Sequence, residues 1–222
     1  MKYQSGVTIP YGTHKLLIDR IPAGSTVLDI GCAQGYVDRV LKEEKNCTIY
    51  GLEYEEAAAK IAEQYCAKMT VGPAELFLDA KTAPYRGSTF DVILLADILE
   101  HLMDPWAVLA ALEPYLKKGG IVIISLPNIA NLWIRMRLLF GNFTYTTTGI
   151  MDVTHTKFFT RSTLVAMVRG AKLDPVSVTG VGQLNYLSVR FGALAGKFGH
   201  ALTNLFPTLL SIQFIIVAKK RA

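Results

Sequence analysis

The sequence predicts an α/β fold built on a doubly wound, mostly parallel sheet. Short apolar, β-branched runs alternate with longer stretches of helical period, the rhythm of strands joined by crossover helices. One run, Phe90-Asp91-Val92-Ile93-Leu94-Leu95, is almost continuously apolar, as a strand buried on both faces requires. A loop of small residues also follows the first run and opens a helix.

The first strand is expected over residues 26–30, followed by a helix over 36–44, a strand over 48–52 and an Ala- and Glu-rich helix over 55–64. A short strand over 69–71 precedes the buried strand at 90–95. A helix with Pro105 in its first turn then runs to 116, and Gly119-Gly120 end it before a fifth strand over 121–126, which Pro127 stops. The rhythm then fails for about 30 residues, and long irregular insertions are commonly functional. Within it Ile129, Leu132, Trp133, Met136, Leu139 and Phe140 recur at helical spacing, and Gly141-Asn142 end that helix. Thr160 suits the N-cap of a helix through 169, strands are expected at 176–178 and 213–219, and 180–204 is dotted with glycine. With no repeat, low-complexity tract or linker, one domain over residues 1–222 is expected, its insertion spanning roughly 128–160.

Composition narrows the classes. Of 222 residues 51% are apolar and 18% charged, and the mean hydropathy of +0.31 raises the membrane question. An average domain carries about 25% charged residues. The most apolar stretch, 205–218, is broken by Pro207, Thr208, Ser211 and Gln213, so no run reaches the ~20 apolar residues of a bilayer span. The start lacks a secretory h-region, and a cytoplasmic protein is expected. Cys32, Cys47 and Cys66 have neither C-x-x-C spacing nor a His cluster and read as reduced thiols. The formal charge of +5 reads as spread along the chain, with Lys117-Lys118 and Lys219-Lys220-Arg221 as its clusters, so no nucleic-acid groove is expected.

The strongest signal is Val27-Leu28-Asp29-Ile30-Gly31-Cys32-Ala33-Gln34-Gly35. A dinucleotide fingerprint reads G-x-G-x-x-G, its second Gly admitting a pyrophosphate. Here Ala33 takes that place and the spacing is G-x-x-x-G, which opposes a nicotinamide dehydrogenase. No Lys-Ser/Thr follows, which excludes a P-loop. About 20 residues beyond the loop, Glu53 ends the second strand, where a carboxylate accepts from both ribose hydroxyls. A ribose site without a pyrophosphate site describes S-adenosylmethionine.

At this point V-L-D-I-G-C-A-Q-G, then G-L-E, then F-D-V-I-L-L-A-D-I-L-E-H-L-M-D-P resemble the successive motifs of class I S-adenosylmethionine-dependent methyltransferases. The resemblance implies a Rossmann-like, seven-stranded sheet with an antiparallel last strand and an insertion after the fifth. It implies that Gly31, Cys32, Ala33 and Gly35 line the methionine end of the cofactor, that Asp29 orders the loop by accepting its amides, and that Glu53 holds the ribose. Ala96 passes its backbone beside the cofactor and Tyr54 lies against adenine. S-adenosylhomocysteine would be the product. The family's adenine-binding Asp is replaced by Pro73 in Gly72-Pro73-Ala74-Glu75, leaving Glu75, Asp79 or a backbone group to substitute.

Ala96-Asp97-Ile98-Leu99 is unlike the N-P-P-Y of nucleobase methyltransferases. The run Asp97-Ile98-Leu99-Glu100-His101 resembles the E-x-L-E-H of ubiquinone-pathway O-methyltransferases, in which acids and His can hold a divalent metal. Asp97, Glu100 and His101 could present such ligands, although a structural role for them is the preferred expectation. His101 is a candidate general base, since an ordinary His pKa near ~6.5 suits that work. Gly149-Ile150-Met151-Asp152-Val153-Thr154-His155-Thr156-Lys157-Phe158-Phe159-Thr160 resembles a subset reading G-x-x-D-x-T-H-x-R/K-F-F-T. There His155 is a second candidate base with Asp152 orienting it, or the pair braces the insertion.

These features together favour methyl transfer by in-line displacement to the hydroxyl of a small or lipid-linked molecule. Holding the acceptor about 3 to 3.5 Å from the methyl carbon, with water excluded by a lid over 129–140, would supply much of the acceleration. A cofactor-binding but non-catalytic or regulatory protein is the alternative. The apolar segments 129–140 and 191–210 either enclose an apolar acceptor or rest peripherally on a lipid surface.

Overall fold

The structure, a computed structural model, describes residues 11–221. Its strands are β1 Thr26–Ile30, β2 Thr48–Glu53, β3 Lys68–Val71, β4 Phe90–Ala96, β5 Leu116–Pro127, β6 Leu173–Gly182 and β7 Ser211–Lys220. They form one sheet in the order β3-β2-β1-β4-β5-β7-β6. β1 to β5 pair in parallel, while β7 runs antiparallel to both β5 and β6. The expected doubly wound sheet with an antiparallel last strand is therefore observed.

The helices are α1 Thr13–Arg20, α2 Tyr36–Lys45, α3 Glu56–Ala62, α4 Pro105–Leu112, α5 Leu132–Leu139, α6 Arg161–Gly170, α7 Leu187–Phe191, α8 Ala193–Leu205 and α9 Pro207–Leu210. Alternate residues of the strands feed two cores. Leu28, Ile93, Leu95 and Ile124 meet Val108 and Leu109 of α4 and Leu164 and Val168 of α6. Val27, Val92, Leu94 and Ile123 meet Leu17 of α1 and Val40 and Leu41 of α2 on the opposite face. That division accounts for the uninterrupted apolar run of β4.

The largest difference from the sequence reading concerns Gly119-Gly120. They do not end a helix. α4 stops at Leu112, a single 3-10 turn spans Glu113–Tyr115, and the glycines lie inside β5, whose pairing with β4 shifts register between Phe90 and Val92. A Cβ on Gly120 would stand 3.0 Å from the Asp91 carbonyl oxygen, so the close approach of β4 explains a glycine there. The second difference is α8, hidden because its glycines imitate a loop. Gly196 and Gly199 face inward, where a Cβ would meet Ser188 and the Leu184 carbonyl. The helix in the insertion is shorter than expected and begins at Asn131, whose side chain accepts from the Trp133 amide. Thr160 caps α6 as expected, in a reciprocal capping box with Thr163.

Candidate functional site

The C-terminal ends of β1, β2, β4 and β5 meet at one edge of the sheet, where open α/β sheets bind ligands. Gly31, Ala33 and Gly35 all have positive φ, so the loop after β1 curls tightly into α2. The Gly31 and Cys32 amides donate to the Leu52 carbonyl at 2.7 and 3.3 Å, tying the loop to β2. Glu53 is fastened to the same turn: Oε2 accepts from the Ala33 amide at 2.8 Å and Oε1 from the Glu55 amide at 2.9 Å. Its register with Val71, and the bond from the Gly72 amide to the Glu53 carbonyl, bring Gly72-Pro73 beside it. Tyr54 stands exposed next in the chain, and Glu75 is half-buried in the 3-10 turn Ala74–Leu78.

A cavity of about 140 Å³ opens above the loop, lined by Asp29, Gly31, Cys32, Ala33, Ala96 and Asp97, with His14 of α1 and Tyr36 and Val37 of α2 closing it. The sequence reading had Asp29 accepting loop amides. In the structure the Ala33 amide goes to Glu53, and Asp29 instead hydrogen-bonds Asp38, a fully buried acid of α2. One oxygen of each carboxyl, Asp29 Oδ1 and Asp38 Oδ1, has no partner. Burial pushes Asp29 well above the usual carboxylate range, helped by the Asp38 charge, and holds Asp38 up at about 6. Burial likewise raises the Cys32 and Cys66 thiols, and all three cysteines are free. Asp29 lines this cavity at the helix entrance, and a buried acid with an unpartnered oxygen fits the cationic methionine end of S-adenosylmethionine.

Asp97 is the partition between this cavity and a second, of about 590 Å³. It adopts positive φ of 54°. Its Oδ1 accepts from Ser125 Oγ at 2.7 Å and from the Gln213 side-chain amide, so two polar residues in otherwise apolar strands serve to hold it. The expectation that Asp97 joins Glu100 and His101 as a metal ligand is not what the geometry favours. The described groups close enough to share an ion are Glu100, His101 and His155, with ligand atoms within 4.8 Å of one another. Glu100 is buried with Oε2 unpartnered, and burial first, then the Asp97 and Asp152 charges, raise its carboxyl well above the usual range.

The two candidate bases come together on the wall of the second cavity, ring centroids 4.8 Å apart and edge to face. His155 Nδ1 lies 3.1 Å from the Ile150 carbonyl, which can only accept, so Nδ1 carries the proton and Nε2 presents a lone pair. That carbonyl takes the orienting role expected of Asp152. Asp152 Oδ1 instead accepts from the Thr154 amide and hydroxyl at 3.0 and 2.7 Å, and Thr154 contacts His101 Nδ1. Asp152 thus orders His101 through Thr154 and acts on His155 by charge, opposing the burial that lowers the His155 pKa. α5 is not a lid over this cavity. Residues 147–155 form its wall, and no residue of α5 lines it. Residues missed from sequence are His14, Asp38, Thr154, Ser125 and Gln213; the last two were visible as polar interruptions of apolar strands.

A family described as a methyltransferase domain matches residues 10–178. Ubiquinone biosynthesis O-methyltransferase of Dinoroseobacter shibae is 28% identical over 160 residues, covering 71% of this chain and 63% of that protein. (S)-tetrahydroprotoberberine N-methyltransferase of Eschscholzia californica is 29% identical over 115 residues, 50% of this chain and 33% of that protein. The chain therefore spans less than two thirds of the length of these curated relatives. A SAM-dependent methyltransferase structure from Archaeoglobus fulgidus superimposes with a TM-score of 0.65 at 19% identity, covering 99% of this chain and 100% of that one.

Proposed function

The chain belongs to the methyltransferase domain family, with S-adenosylmethionine as its cofactor, and from that premise we propose that it transfers a methyl group to a hydroxyl of a small or lipid-linked molecule. The observation that carries this reading is Asp97, whose one side faces the cofactor cavity and whose other side faces a roomy second cavity holding His101 and His155. The bound cofactor supplies an electrophilic methyl group on a sulfonium. The residues of this chain do the rest. Asp29 takes the cationic end, and Glu53 keeps the loop closed and has lone pairs left for ribose hydroxyls. In the second cavity the Nε2 of His155, fixed by the Ile150 carbonyl, removes the hydroxyl proton as the oxygen becomes nucleophilic. Burial raises the Glu100 carboxyl, which weakens its charge beside His155, and the Asp152 charge acts on the imidazole.

The O-methyltransferase likeness supports a hydroxyl acceptor, while the N-methyltransferase likeness makes an amine the necessary control. The test is S-adenosylhomocysteine release from the full chain with panels of catechols, quinols, sugar alcohols and matched amines. Turnover confined to hydroxyl compounds is expected. Turnover of amines alone would overturn the acceptor class, and tight S-adenosylhomocysteine binding with no turnover would favour a non-catalytic role.

A further inference from the structure

The two apolar segments singled out in the sequence do not enclose the second cavity; they turn outward. Along α5, Leu132, Trp133, Met136, Leu139 and Phe140 are all exposed, with Leu139 at 73% and Phe140 at 79%. At 3.6 residues per turn these five fall within about 120° of arc, opposite Ile134, the buried residue of the helix. Arg135 and Arg137 stand on either edge of that arc. α8 repeats the arrangement: Leu194, Phe198 and Leu205 share one exposed stripe, and Gly196, Gly199 and Thr203 form the buried one. α9 links the two, since Asn131 at the start of α5 donates to the Leu209 carbonyl and exposed Phe206 joins α8 to α9.

The charge is not spread evenly after all. Residues 1–104 carry 10 Lys and Arg against 15 Asp and Glu, whereas residues 105–222 carry 13 against 3. In the basic half, a groove of about 580 Å³ between α5 and α6 is lined by Arg135, Arg161 and Arg169 with the hydroxyl residues Thr160, Ser162 and Thr208, and no carboxylate lines it. None of these arginines is among the ion pairs of the described residues. Guanidinium groups converging without a carboxylate suit phosphate oxygens. A helix that is apolar outward and edged by arginine is the form that lies in a headgroup layer, with its cationic heads at phosphate depth.

We propose that α5 and α8 dock this protein on an anionic phospholipid surface, with the arginine groove taking headgroup phosphates. The outward apolar faces supply the shallow insertion, and the basic half supplies attraction to the surface.

Flotation of the full chain with vesicles of phosphatidylcholine, alone or with three parts in ten phosphatidylglycerol, tests this. Strong binding to the mixed vesicles and weak binding to phosphatidylcholine is expected. In a Trp106→Phe background, Trp133 emission should shift to the blue on binding. Leu139→Asp with Phe140→Asp, both at exposed positions, should abolish the shift and lower partitioning at least about tenfold, and Arg135→Glu with Arg161→Glu and Arg169→Glu should do the same. Equal binding to both vesicle types, or indifference to the two aspartates, would overturn docking. Binding of inorganic phosphate without vesicle binding would leave a plain phosphate site and overturn it too. So would a dimer by light scattering that the aspartates dissociate while vesicles are ignored.

Discussion

His101 and His155 meet edge to face with ring centroids 4.8 Å apart, each with Nδ1 turned toward a backbone carbonyl, that of Thr154 for His101 and that of Ile150 for His155. Both therefore offer Nε2, and they differ in setting. Burial lowers the His155 pKa, which keeps it neutral and able to accept a proton. His155→Ala is expected to lower kcat about 10²- to 10⁴-fold with S-adenosylhomocysteine affinity unchanged, and His101→Ala to cost less. Equal losses in the two variants would sink the assignment of His155 as base.

The same assignment fixes a pH profile. Protonated His155 cannot accept the hydroxyl proton, so kcat falls as pH drops through its pKa, and a lowered pKa moves that limb below the ordinary value of about 6.5. In Asp152→Asn the limb should move lower still, since the Asp152 charge raises the His155 pKa. A limb that stays put, or moves upward, would show that another group governs it.

Asp29 and Asp38 make a second pH prediction, for stability. Burial raises both carboxyls above their unfolded values near 3.8. Such groups favour the fold while protonated, fully so below the unfolded value, and that contribution is lost as pH rises through the folded value, about 6 for Asp38. Tm of the cofactor-free protein should therefore fall as pH rises from about 4 through about 6, where Asp38 ionises in the fold, and further where Asp29 does. Asp29→Asn should flatten that fall and raise Tm at pH 8 by at least about 2 °C. It should also weaken S-adenosylhomocysteine binding at least tenfold, because the partner of the cofactor's ammonium is gone. Calorimetry showing unchanged affinity would mean that the methionine end is held elsewhere.

Glu53→Ala removes the acceptor of the Ala33 and Glu55 amides as well as a ribose ligand. Cofactor affinity should drop tenfold or more, since hydrogen bonds to a charged group are worth about 1.5 to 3 kcal/mol each. Hydrogen exchange at Ala33 should quicken at the same time. Loss of affinity with unaltered exchange would separate ribose binding from loop closure and count against the structural half of the role.

The strands were legible where burial on both faces leaves a continuous apolar run, as in β4, and where a cap is written in side chains, as at Thr160. Glycine was the misleading letter. Gly119-Gly120 and Gly196 with Gly199 carry the usual stop signal, yet Gly120, Gly196 and Gly199 serve close packing against Asp91, Ser188 and Leu184, and Gly119 serves a positive φ of 81° within the strand. The site divides the same way. His101, Asp152 and His155 stood out as polar residues in an apolar chain, but their bonds did not. Which carbonyl holds His155, and that Thr154 stands between Asp152 and His101, depends on how residues 147–157 fold back on Glu100, whose carbonyl accepts from the Thr156 and Lys157 amides. Asp38 was invisible because an acid in the first turn of a helix ordinarily faces solvent, and here it faces Asp29.

Gly35 supplies the last prediction because two separable demands fall on it. It sits at φ 74°, which costs an L residue about 1 to 2 kcal/mol. A Cβ there would also stand 3.0 Å from Ala62 and Tyr65, where α3 and the turn after it press on the loop. Gly87 shares the first demand, at φ 81°, and not the second, since no atom lies within 4 Å of its Cβ position. Gly87→Ala should therefore cost about 1 to 2 kcal/mol in urea unfolding, and Gly35→Ala a further 1 to 3 kcal/mol for the forced shift of packed neighbours. The Gly35 amide closes the turn by donating to the Cys32 carbonyl at 2.9 Å, so moving it opens the loop that carries the Ala33 amide. Gly35→Ala should weaken S-adenosylhomocysteine binding and Gly87→Ala should not. Equal costs in the two variants would mean that backbone conformation alone, and not the packing of α3, sets the shape of the cofactor loop.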